Sequence, residues 1–423
     1  MAGRPKFIVD VTPLRESDEF RWLYAGLALA GIGRQLTVVA VPFQVFELTG
    51  STFLVGLLGL IQLGPLLLAS GIGGAVVDAM DRRTLLIFAQ LTTGLTAVGL
   101  AYNAALDEPA VWAIFALSAL NAGLATLDYP TRSALVAGIV GRKLLPSATA
   151  LTQTLENVSK MVGPAIGGAI IATGGFTATY VVEAVAFGIG AMLMLKISRR
   201  PAEGGARQFG LESIKEGWVF LRHRKLLQAN FYMDINAMVL GMPTALFPAI
   251  GTVVLGGDAT TVGLLYAAPG AGALAAAFTS GWVGSVKRQG RAVIIAVIVW
   301  GASVAAFGLS RSLPLVLLFL AIGGGADVIS AVFRNTILQL AAPDNLRGRL
   351  SSIHVGVSSG GPRLGDFRAG TMASLINTPF SVVSGGVAVV VGALFIARKI
   401  PELNAYVDDD DGGTMGPDAA KAP

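Results

Sequence analysis

The feature that most constrains this chain is a series of apolar runs, each long enough to cross a lipid bilayer. A helix needs about 20 mostly apolar residues to span the ~30 Å hydrocarbon core. Only 13% of the 423 residues are charged, against roughly 25% in soluble domains. Twelve runs qualify, numbered here as spans 1 to 12: 21–46, 53–78, 83–105, 109–135, 145–172, 176–196, 226–254, 259–286, 291–310, 314–340, 351–376 and 380–398. The predicted fold class is an all-α membrane protein with twelve transmembrane helices.

The positions of lysine and arginine predict the orientation of the spans. Basic residues in short loops stay on the cytoplasmic side of a membrane. They cluster before span 1, after spans 2, 4, 6, 8 and 10, and after span 12, whereas the opposite loops contain only Arg311. We therefore expect a multi-pass protein of the plasma or inner membrane with both termini cytoplasmic. This topology explains the net charge of +5 without a nucleic-acid partner.

Several kinds of chemistry are not expected. The chain has no cysteine and two histidines, which argues against disulfides and a histidine-based metal site. It contains no phosphate-binding GxxxxGK[ST], no HExxH and no complete dinucleotide-binding loop. We expect no cofactor, no metal, no enzymatic activity and no required ATP-binding subunit. The first residues show no removable signal peptide.

The two halves of the chain repeat each other at an offset of about 200 residues. RSALVAGIVGRKLLPSATAL from Arg132 matches RNTILQLAAPDNLRGRLSSI from Arg334 in hydrophobic pattern, and GPAIG at 163–167 matches GPRLG at 361–365. A parallel repeat of six spans is typical of transporters, with the substrate path near the bilayer midplane. The predicted organisation is a cytoplasmic segment at 1–19, six-helix halves at 20–196 and 226–398, a central loop with an amphipathic helix at 197–225, and a disordered acidic tail at 399–423.

Two motifs carry a family resemblance. GGAVVDAMDRRTLL at 73–86 resembles the loop signature of the major facilitator superfamily, and ENVSKMVGPAIGG at 156–168 resembles the end of its antiporter motif. With DYPTRSALV at 128–136 and SGGPRLGD at 359–366, the chain is similar to the drug:proton antiporter branch that contains the enterobactin exporter and its actinobacterial relatives. The resemblance implies export of a small amphipathic molecule, such as a drug or siderophore, in exchange for protons. The expected partners are the bilayer, the cargo and protons, and we expect a monomer.

The resemblance also implies a cytoplasmic gate. Its loop signature supplies Gly74, Asp78, Arg82 and Arg83, and Asp128 on span 4 resembles the superfamily's charge cluster. Arg132 and Arg334 occupy equivalent places in the repeat, near the cytoplasmic ends of spans 4 and 10. There they can extend to the membrane surface or bond to terminal carbonyls. The repeated glycine-proline elements predict gating-helix hinges at Gly163, Pro164, Gly167, Gly168, Gly361, Pro362 and Gly365.

Span 5 carries charge on one helical face. Gln153, Glu156, Lys160, Gly163 and Gly167 are spaced by three or four residues and share that face. Glu156 and Lys160 can form a self-neutralising i,i+4 pair, or Glu156 can bind and release the coupling proton.

Other titratable groups compete for the coupling role. The offset of 198 between the glycine-proline elements places His354 at the position equivalent to Glu156, and a histidine titrates near neutral pH. Asp327 in span 10 and Asp234 in span 7 are further candidates. Glu183, near the outer end of span 6, is attributed to interfacial hydration.

The remaining intramembrane charges are candidates for the substrate cavity, because charge in hydrocarbon is costly unless it faces protein or water. Arg34, which Gln35 follows, either neutralises a cavity carboxylate or attracts an anionic group of the cargo. Arg363 and Asp366 in span 11 replace Ala165 and Gly168 of the first half and, three residues apart, can pair with each other. The pair would either brace neighbouring helices or line the path. Gln153 and Lys160 complete this set.

The sequence leaves two alternatives to export. An uptake symporter on the same fold would accumulate cargo when the outside is acidified. A non-transporting membrane sensor or scaffold would show no cargo-dependent proton flux.

Overall fold

A computed structural model describes residues 10–200, 216 and 218–407, and among these it omits the side chains of 70–79, 344, 345 and 352. The described residues are almost entirely helical and contain no β-strand. Nine of the described helices are long and apolar enough to cross a membrane. The all-α membrane class predicted from the sequence is confirmed.

The bounds of the helices follow the predicted spans, whose numbers are kept here. The continuous ones are Asp18–Thr49 (span 1), Thr52–Ala79 (span 2), Arg82–Ala104 (span 3), Ala259–Phe278 (span 8), Gln289–Leu309 (span 9), Leu313–Ala341 (span 10), Asp344–Leu375 (span 11) and Thr378–Lys399 (span 12). A short helix, Thr12–Glu16, precedes span 1, and another, Pro401–Ala405, follows span 12.

Spans 4, 5 and 6 form one helical stretch, Val111–Met194, that two glycines interrupt. Gly141 has φ 67° and Gly175 has φ 72°, in the left-handed region that side chains other than glycine rarely adopt. The three resulting segments, 111–140, 142–174 and 176–194, are each long enough to cross the bilayer. Nine described helices were counted above with Val111–Met194 as one, so three separate segments bring the number to eleven. The helix Asp344–Leu375, which carries more charge, brings it to the twelve spans that the sequence predicts.

Spans 7 and 8 differ from the continuous helices predicted. Span 7 runs as an α-helix over Lys225–Ile235, continues as a π-helix over Asn236–Leu240, and breaks before the 3-10 turn Thr244–Leu246. Pro243, at the break, has no N–H to donate to the helical ladder. Helical structure then resumes through Phe247–Ala249 and the π-helix Ile250–Val254. The α-helix of span 8 ends at Phe278, and a 3-10 stretch, Ser280–Ser285, follows it.

The chain separates into two compact units, each with its own apolar core. The first unit comprises Met1–Gln44 and Gly64–Arg207, and the second comprises Val45–Leu63 and Gln208–Pro423. The first core is built around residues such as Phe20, Leu23 and Leu86. The second is larger and includes Phe247, Trp300 and Phe307.

The predicted domain boundaries stay a prediction, because parts of the terminal segments and of the central loop lie outside the described residues. These parts are 1–9, 201–215, 217 and 408–423. From the predicted amphipathic helix of the loop, Trp218 and Leu221 are described as helical. Leu221 is buried and packs with Leu227, Phe231 and Leu338.

The ends of several spans in the first unit meet at Arg200. Its guanidinium donates to Glu19 Oε2 at 2.9 Å and to the Gly138 carbonyl, while its N–H donates to Asp81 Oδ2 at 2.6 Å. Asp81 is also the N-cap of span 3, since its other oxygen accepts from the N–H and the hydroxyl of Thr84, both at 2.8 Å. Spans 1, 3 and 4 are thereby tied to the start of the central loop.

Ionised Asp81 contributes stability at this junction. Burial opposes its ionisation, but the hydrogen bonds from Thr84 and Arg200 and the charge of Arg199 outweigh that effect and lower the pKa of Asp81. A lowered folded-state pKa stabilises the protein above the unfolded pKa, about 3.9, and that stabilisation is lost as the pH falls through the folded value.

We predict that Asp81→Ala lowers the stability of the protein by about 1 kcal/mol at neutral pH, as expected for loss of an N-cap. Thermal unfolding in detergent should show that the difference from wild type shrinks as the solution is acidified. Asp107→Ala removes an exposed carboxylate and serves as the control. A difference that grows on acidification would contradict the role assigned to Asp81.

Glycines of the two repeated motifs allow close helix crossings at equivalent places. A Cβ at Gly163 on span 5 would lie 2.5 Å from the Cβ of Gln35 on span 1. Its counterpart Gly361 on span 11 would lie 2.7 Å from the Cβ of Met238 on span 7, and Gly365 would meet the Met238 carbonyl oxygen. Small residues let membrane helices approach this closely. The repeat therefore has a packing basis in each unit.

We predict that Gly365→Ala lowers the thermal unfolding midpoint and costs about 1–3 kcal/mol, because the added methyl group meets backbone that cannot rotate away. On the same helix, Gly356 has open space around its Cα, so Gly356→Ala is the matched control. The control should leave stability unchanged or raise it by up to about 1 kcal/mol, the helix preference of alanine over glycine. Equal midpoints for the two variants would refute the packing role.

Candidate functional site

The second unit contains a buried cluster of charged side chains from spans 7, 10 and 11. Arg334 Nη2 lies 3.1 Å from Asp234 Oδ1, and the two side chains are 2% and 0% exposed. His354 Nδ1 lies 3.5 Å from the other oxygen of Asp234, and the Ser358 hydroxyl donates to that same oxygen at 2.9 Å. Removing an ion pair from water is expensive unless geometry and hydrogen bonds compensate it. The three partners of Asp234, which are Arg334, His354 and Ser358, supply this compensation.

Arg334 also has a second carboxylate within reach. This is Asp327, which is also on span 10. Its Oδ1 lies 3.8 Å from the same Nη2 atom, and its side chain is 35% exposed. The Arg334 carbonyl accepts from the Asn230 side chain at 3.0 Å, which fixes the backbone of span 10 against span 7. One arginine thus faces two carboxylates of unequal burial. Three of the predicted coupling candidates, Asp234, Asp327 and His354, lie together here.

The first unit places an arginine at the equivalent position. Arg132 Nη2 lies 2.9 Å from Glu156 Oε2, and Lys160 Nζ lies 2.9 Å from Glu156 Oε1. The i,i+4 pair, one of the two alternatives considered from the sequence, forms, and Arg132 adds a second cation to it. Arg132 and Arg334 therefore both pair with carboxylates. Gln153, on the same face, is exposed.

Arg34 on span 1 pairs with a carboxylate. Its Nη2 lies 3.2 Å from Asp128 Oδ2 on span 4, and the side chains are 37% and 11% exposed. This contact favours the first of the two roles considered for Arg34, neutralisation of a carboxylate. Gln35, the next residue, packs its side chain against Gly163.

Glu183 is a buried carboxyl group whose environment the sequence did not predict. Its attribution to interfacial hydration is wrong, since the residue is 0% exposed. The Thr37 hydroxyl on span 1 donates to Glu183 Oε2, and Oε1 has no hydrogen-bond partner among the described residues. The position of Glu183 near the end of span 6 suggested that water could reach it, but its contact with span 1 excludes that water. The only sign of this environment in the sequence was an acidic residue inside an apolar run.

Two arginines of the predicted cytoplasmic gate bind backbone carbonyls in the structure. Arg83 donates to the carbonyls of Met194 and Leu195 at 3.1 and 2.7 Å, at the end of span 6, and the Arg82 N–H donates to the Arg200 carbonyl at 3.3 Å. Arginines commonly satisfy the last carbonyls of a helix in this way. The side chain of Asp78 and the surroundings of Gly74 fall outside the description, and the gate role stays a prediction.

The predicted hinges lie within helices. Pro164 and Pro362 are inside continuous helical segments, and Gly167 packs against Leu36 while Gly168 is buried. These contacts give the motif glycines a packing role. The hinge role stays a prediction.

Span 11 forms an additional close contact within the second unit. The segment Val45–Leu63, which ends span 1 and begins span 2, belongs to this unit. A Cβ at Gly56 would lie 2.8 Å from the Asp366 carbonyl oxygen, and one at Gly59 would lie 2.9 Å from the Arg363 carbonyl oxygen. The side chain of Asp366 instead faces span 7, where it accepts from the Thr244 hydroxyl and from the Ala245 N–H.

Charge clusters in the described part of the chain do not resemble a metal centre. No group of three or more histidine, cysteine, aspartate or glutamate side chains there could hold a metal ion. The clusters combine cations with carboxylates, an arrangement suited to ion pairing and proton transfer.

A family model described as transmembrane secretion effector matches residues 8–413. The chain belongs to this family. The family belongs to the major facilitator superfamily, so the predicted superfamily is confirmed, and the protein is an exporter embedded in the membrane.

Curated relatives support the assignment to exporters. The enterobactin exporter EntS of Citrobacter koseri is 26% identical over 404 residues, covering 96% of this chain and 97% of its own. The enterobactin exporter EntS of Salmonella typhi is 26% identical over 407 residues with the same coverage, 96% and 97%.

A solved structure supports the fold of this protein. The crystal structure of a D-xylose-proton symporter matches with a TM-score of 0.70 at 14% identity, covering 92% of this chain and 99% of that chain. At this identity the likeness shows the fold alone.

We predict that Arg334→Gln destabilises the protein by about 3–5 kcal/mol, because it leaves Asp234 as a buried charge without its cation. The double variant Asp234→Asn/Arg334→Gln should recover most of that loss, since it removes both charges. Thermal unfolding in detergent measures both effects, with Arg398→Gln, an exposed arginine at the end of span 12, as the control. Additive losses in the double variant would show that the two residues are not coupled.

Proposed function

We propose that the protein exports a small amphipathic molecule, such as a drug or siderophore, in exchange for protons by alternating access. The observation that carries the proton-coupled part is the contact of Asp234 with both Arg334 and His354 inside the membrane-spanning helices. Ionisable residues in membrane spans are rare and commonly mark ion pathways and proton relays. The outward direction is supported by the secretion effector family and by relatives that are named enterobactin exporters.

The geometry of the cluster suggests how a proton would act on it. Protonation of Asp234 removes the negative charge that holds Arg334. The arginine then has Asp327, 3.8 Å away on its own helix, as the remaining carboxylate. Transfer of Arg334 between the two carboxylates would weaken and restore the tie between spans 7 and 10. His354, in contact with Asp234, can accept or deliver the proton.

The first unit offers a second coupling group. Glu156 holds Arg132 on span 4 and Lys160 on its own span 5. Protonation of Glu156 would free Arg132 and loosen spans 4 and 5. Arg34 and Asp128, with Gln35 and Gln153, are proposed to shape the cavity beside it.

The cellular setting is part of the same proposal. We propose that both termini lie on the cytoplasmic side of the plasma or inner membrane, which the distribution of basic residues among the loops supports. We propose a monomer with two six-helix halves at 20–196 and 226–398, which needs no ATP-binding subunit and carries out no catalysis. The cytoplasmic gate would include Asp78, Arg82, Asp128, Arg132 and Arg334, and the repeated glycine-proline elements would act as hinges.

The proposal requires a cargo, which a screen would identify. Proteoliposomes that contain the wild-type protein should move at least one member of a panel of dyes, antibiotics and siderophores when a pH gradient is imposed. Dissipation of the gradient with a protonophore should stop that movement. Movement that requires no gradient would point to a uniporter, and accumulation driven by protons moving in the same direction as the cargo would point to a symporter.

We predict that Glu156→Gln and Asp234→Asn each abolish gradient-driven transport of that cargo while leaving its binding and its cargo–cargo exchange largely intact. In Asp234→Asn, Arg334 keeps a carboxylate within reach, since Asp327 lies 3.8 Å away. Each amide keeps the shape of the side chain but cannot gain and lose the coupling proton. Glu47→Gln, at an exposed carboxylate near the end of span 1, is the control and should transport like wild type. Normal proton-driven transport in either variant would remove that residue from the mechanism.

A further inference from the structure

The break in span 7 lies beside a polar cluster that the ion pairs described above do not include. Span 7 leaves its helical path after Leu240 and resumes at the 3-10 turn Thr244–Leu246. Irregular backbone at membrane depth is tolerated only where protein covers it or where it lines a water-filled cavity. In transporters, interrupted helices of this kind commonly form the binding site. The side chains around this break therefore either cover its backbone groups or line a cavity.

Asp366 on span 11 satisfies the broken end of span 7. Its Oδ1 accepts from the Thr244 hydroxyl and from the Ala245 N–H, the latter at 2.8 Å. Hydrogen bonds to a charged acceptor are stronger than those between neutral groups. The Tyr266 hydroxyl on span 8 donates to the Thr244 carbonyl at 3.0 Å. The Asp366 carboxylate is thus already hydrogen-bonded by two donors from span 7.

Arg363, one helical turn before Asp366, lacks such partners. Its half-buried guanidinium has no hydrogen bond or ion pair with any described residue, so the pairing with Asp366 considered from the sequence does not form, although Asp366 and Tyr266 lie within electrostatic range. Arg368, further along span 11, likewise has a buried Nε without a hydrogen-bond partner in the described part of the chain. This stretch of span 11 therefore carries two cations and one carboxylate. A cation in a membrane span without an acceptor is costly unless water or a ligand supplies one.

We propose that Arg363, at the break in span 7, binds an anionic group of the cargo, either a carboxylate or an acidic phenolate. A planar guanidinium pairs with such oxyanions through two parallel hydrogen bonds. Tyr266 supplies an aromatic ring near the same position, and Asp366 holds the broken backbone in place. The site is specific to the second unit, because the equivalent positions of the first are Ala165 and Gly168. This inference rests on the proposed export of an amphipathic small molecule and specifies its chemistry.

The test is equilibrium binding to the purified full-length protein in nanodiscs, without any gradient. The probes are salicylate and its neutral analogue salicylamide, measured by calorimetry at neutral pH. Wild type should bind salicylate at least tenfold more tightly than salicylamide. Arg363→Gln should lose at least tenfold in salicylate affinity with little change for salicylamide, and Arg363→Lys, which keeps the charge without the planar fork, should lose less.

Two further variants separate recognition from structural damage. Asp366→Asn keeps an acceptor for Thr244 and Ala245 but removes the negative charge near the site, so it should bind salicylate more tightly than wild type. Arg398→Gln, at an exposed arginine, should leave both affinities unchanged. Equal affinity of wild type and Arg363→Gln for salicylate, equal affinity of wild type for the two probes, or no binding of either probe would overturn the inference. Because no gradient is used, loss of proton coupling alone would leave these affinities intact.

Discussion

Arg334 and Asp234 form the ion pair on which the arrangement of the second unit depends. Both side chains are almost fully removed from solvent, on helices that cross a medium in which a lone charge is unfavourable. Their contact fixes span 10 against span 7, and the contacts of Asp234 with His354 and Ser358 bring span 11 to the same point. Charge pairing therefore specifies which helices meet. In the proposed mechanism, the same contact is the one that a coupling proton would break.

Glycine packing provides the second constraint, and it does not depend on charge. Crossings at Gly163 in the first unit and at Gly361 and Gly365 in the second bring equivalent helices close together. Apolar side chains in a membrane gain little by leaving lipid for one another, so close backbone contact and ion pairs contribute much of the specificity. The two units share this packing, whereas their charges differ. Glu156 meets two cations from spans 4 and 5, but Asp234 meets Arg334 and His354 from spans 10 and 11.

The sequence predicted the features that hydrocarbon thickness and local spacing determine. These include the apolar spans and, as one of two alternatives considered for Glu156, its pairing with Lys160 one helical turn away. The sequence did not predict the exact ends of the segments at Gly141 and Gly175. It did not predict the partners of Arg334, since these depend on how three helices turn toward one another. Glu183 was misplaced for the same reason, because only its contact with span 1 shows that it is buried. The break in span 7 had a signal in GMPTALFP at 241–248, where a glycine and two prolines interrupt a run apolar enough to be treated as one helix.

The central claim, exchange of cargo for protons, is tested most directly by recording internal pH and cargo together in proteoliposomes. Vesicles loaded with a compound that the protein transports are diluted into cargo-free buffer with no initial pH difference. An exchanger predicts that outward movement of the cargo drives protons inward, so the interior acidifies and a protonophore abolishes the change. Alkalinisation of the interior, as protons leave with the cargo, or cargo release without any pH change would contradict this account.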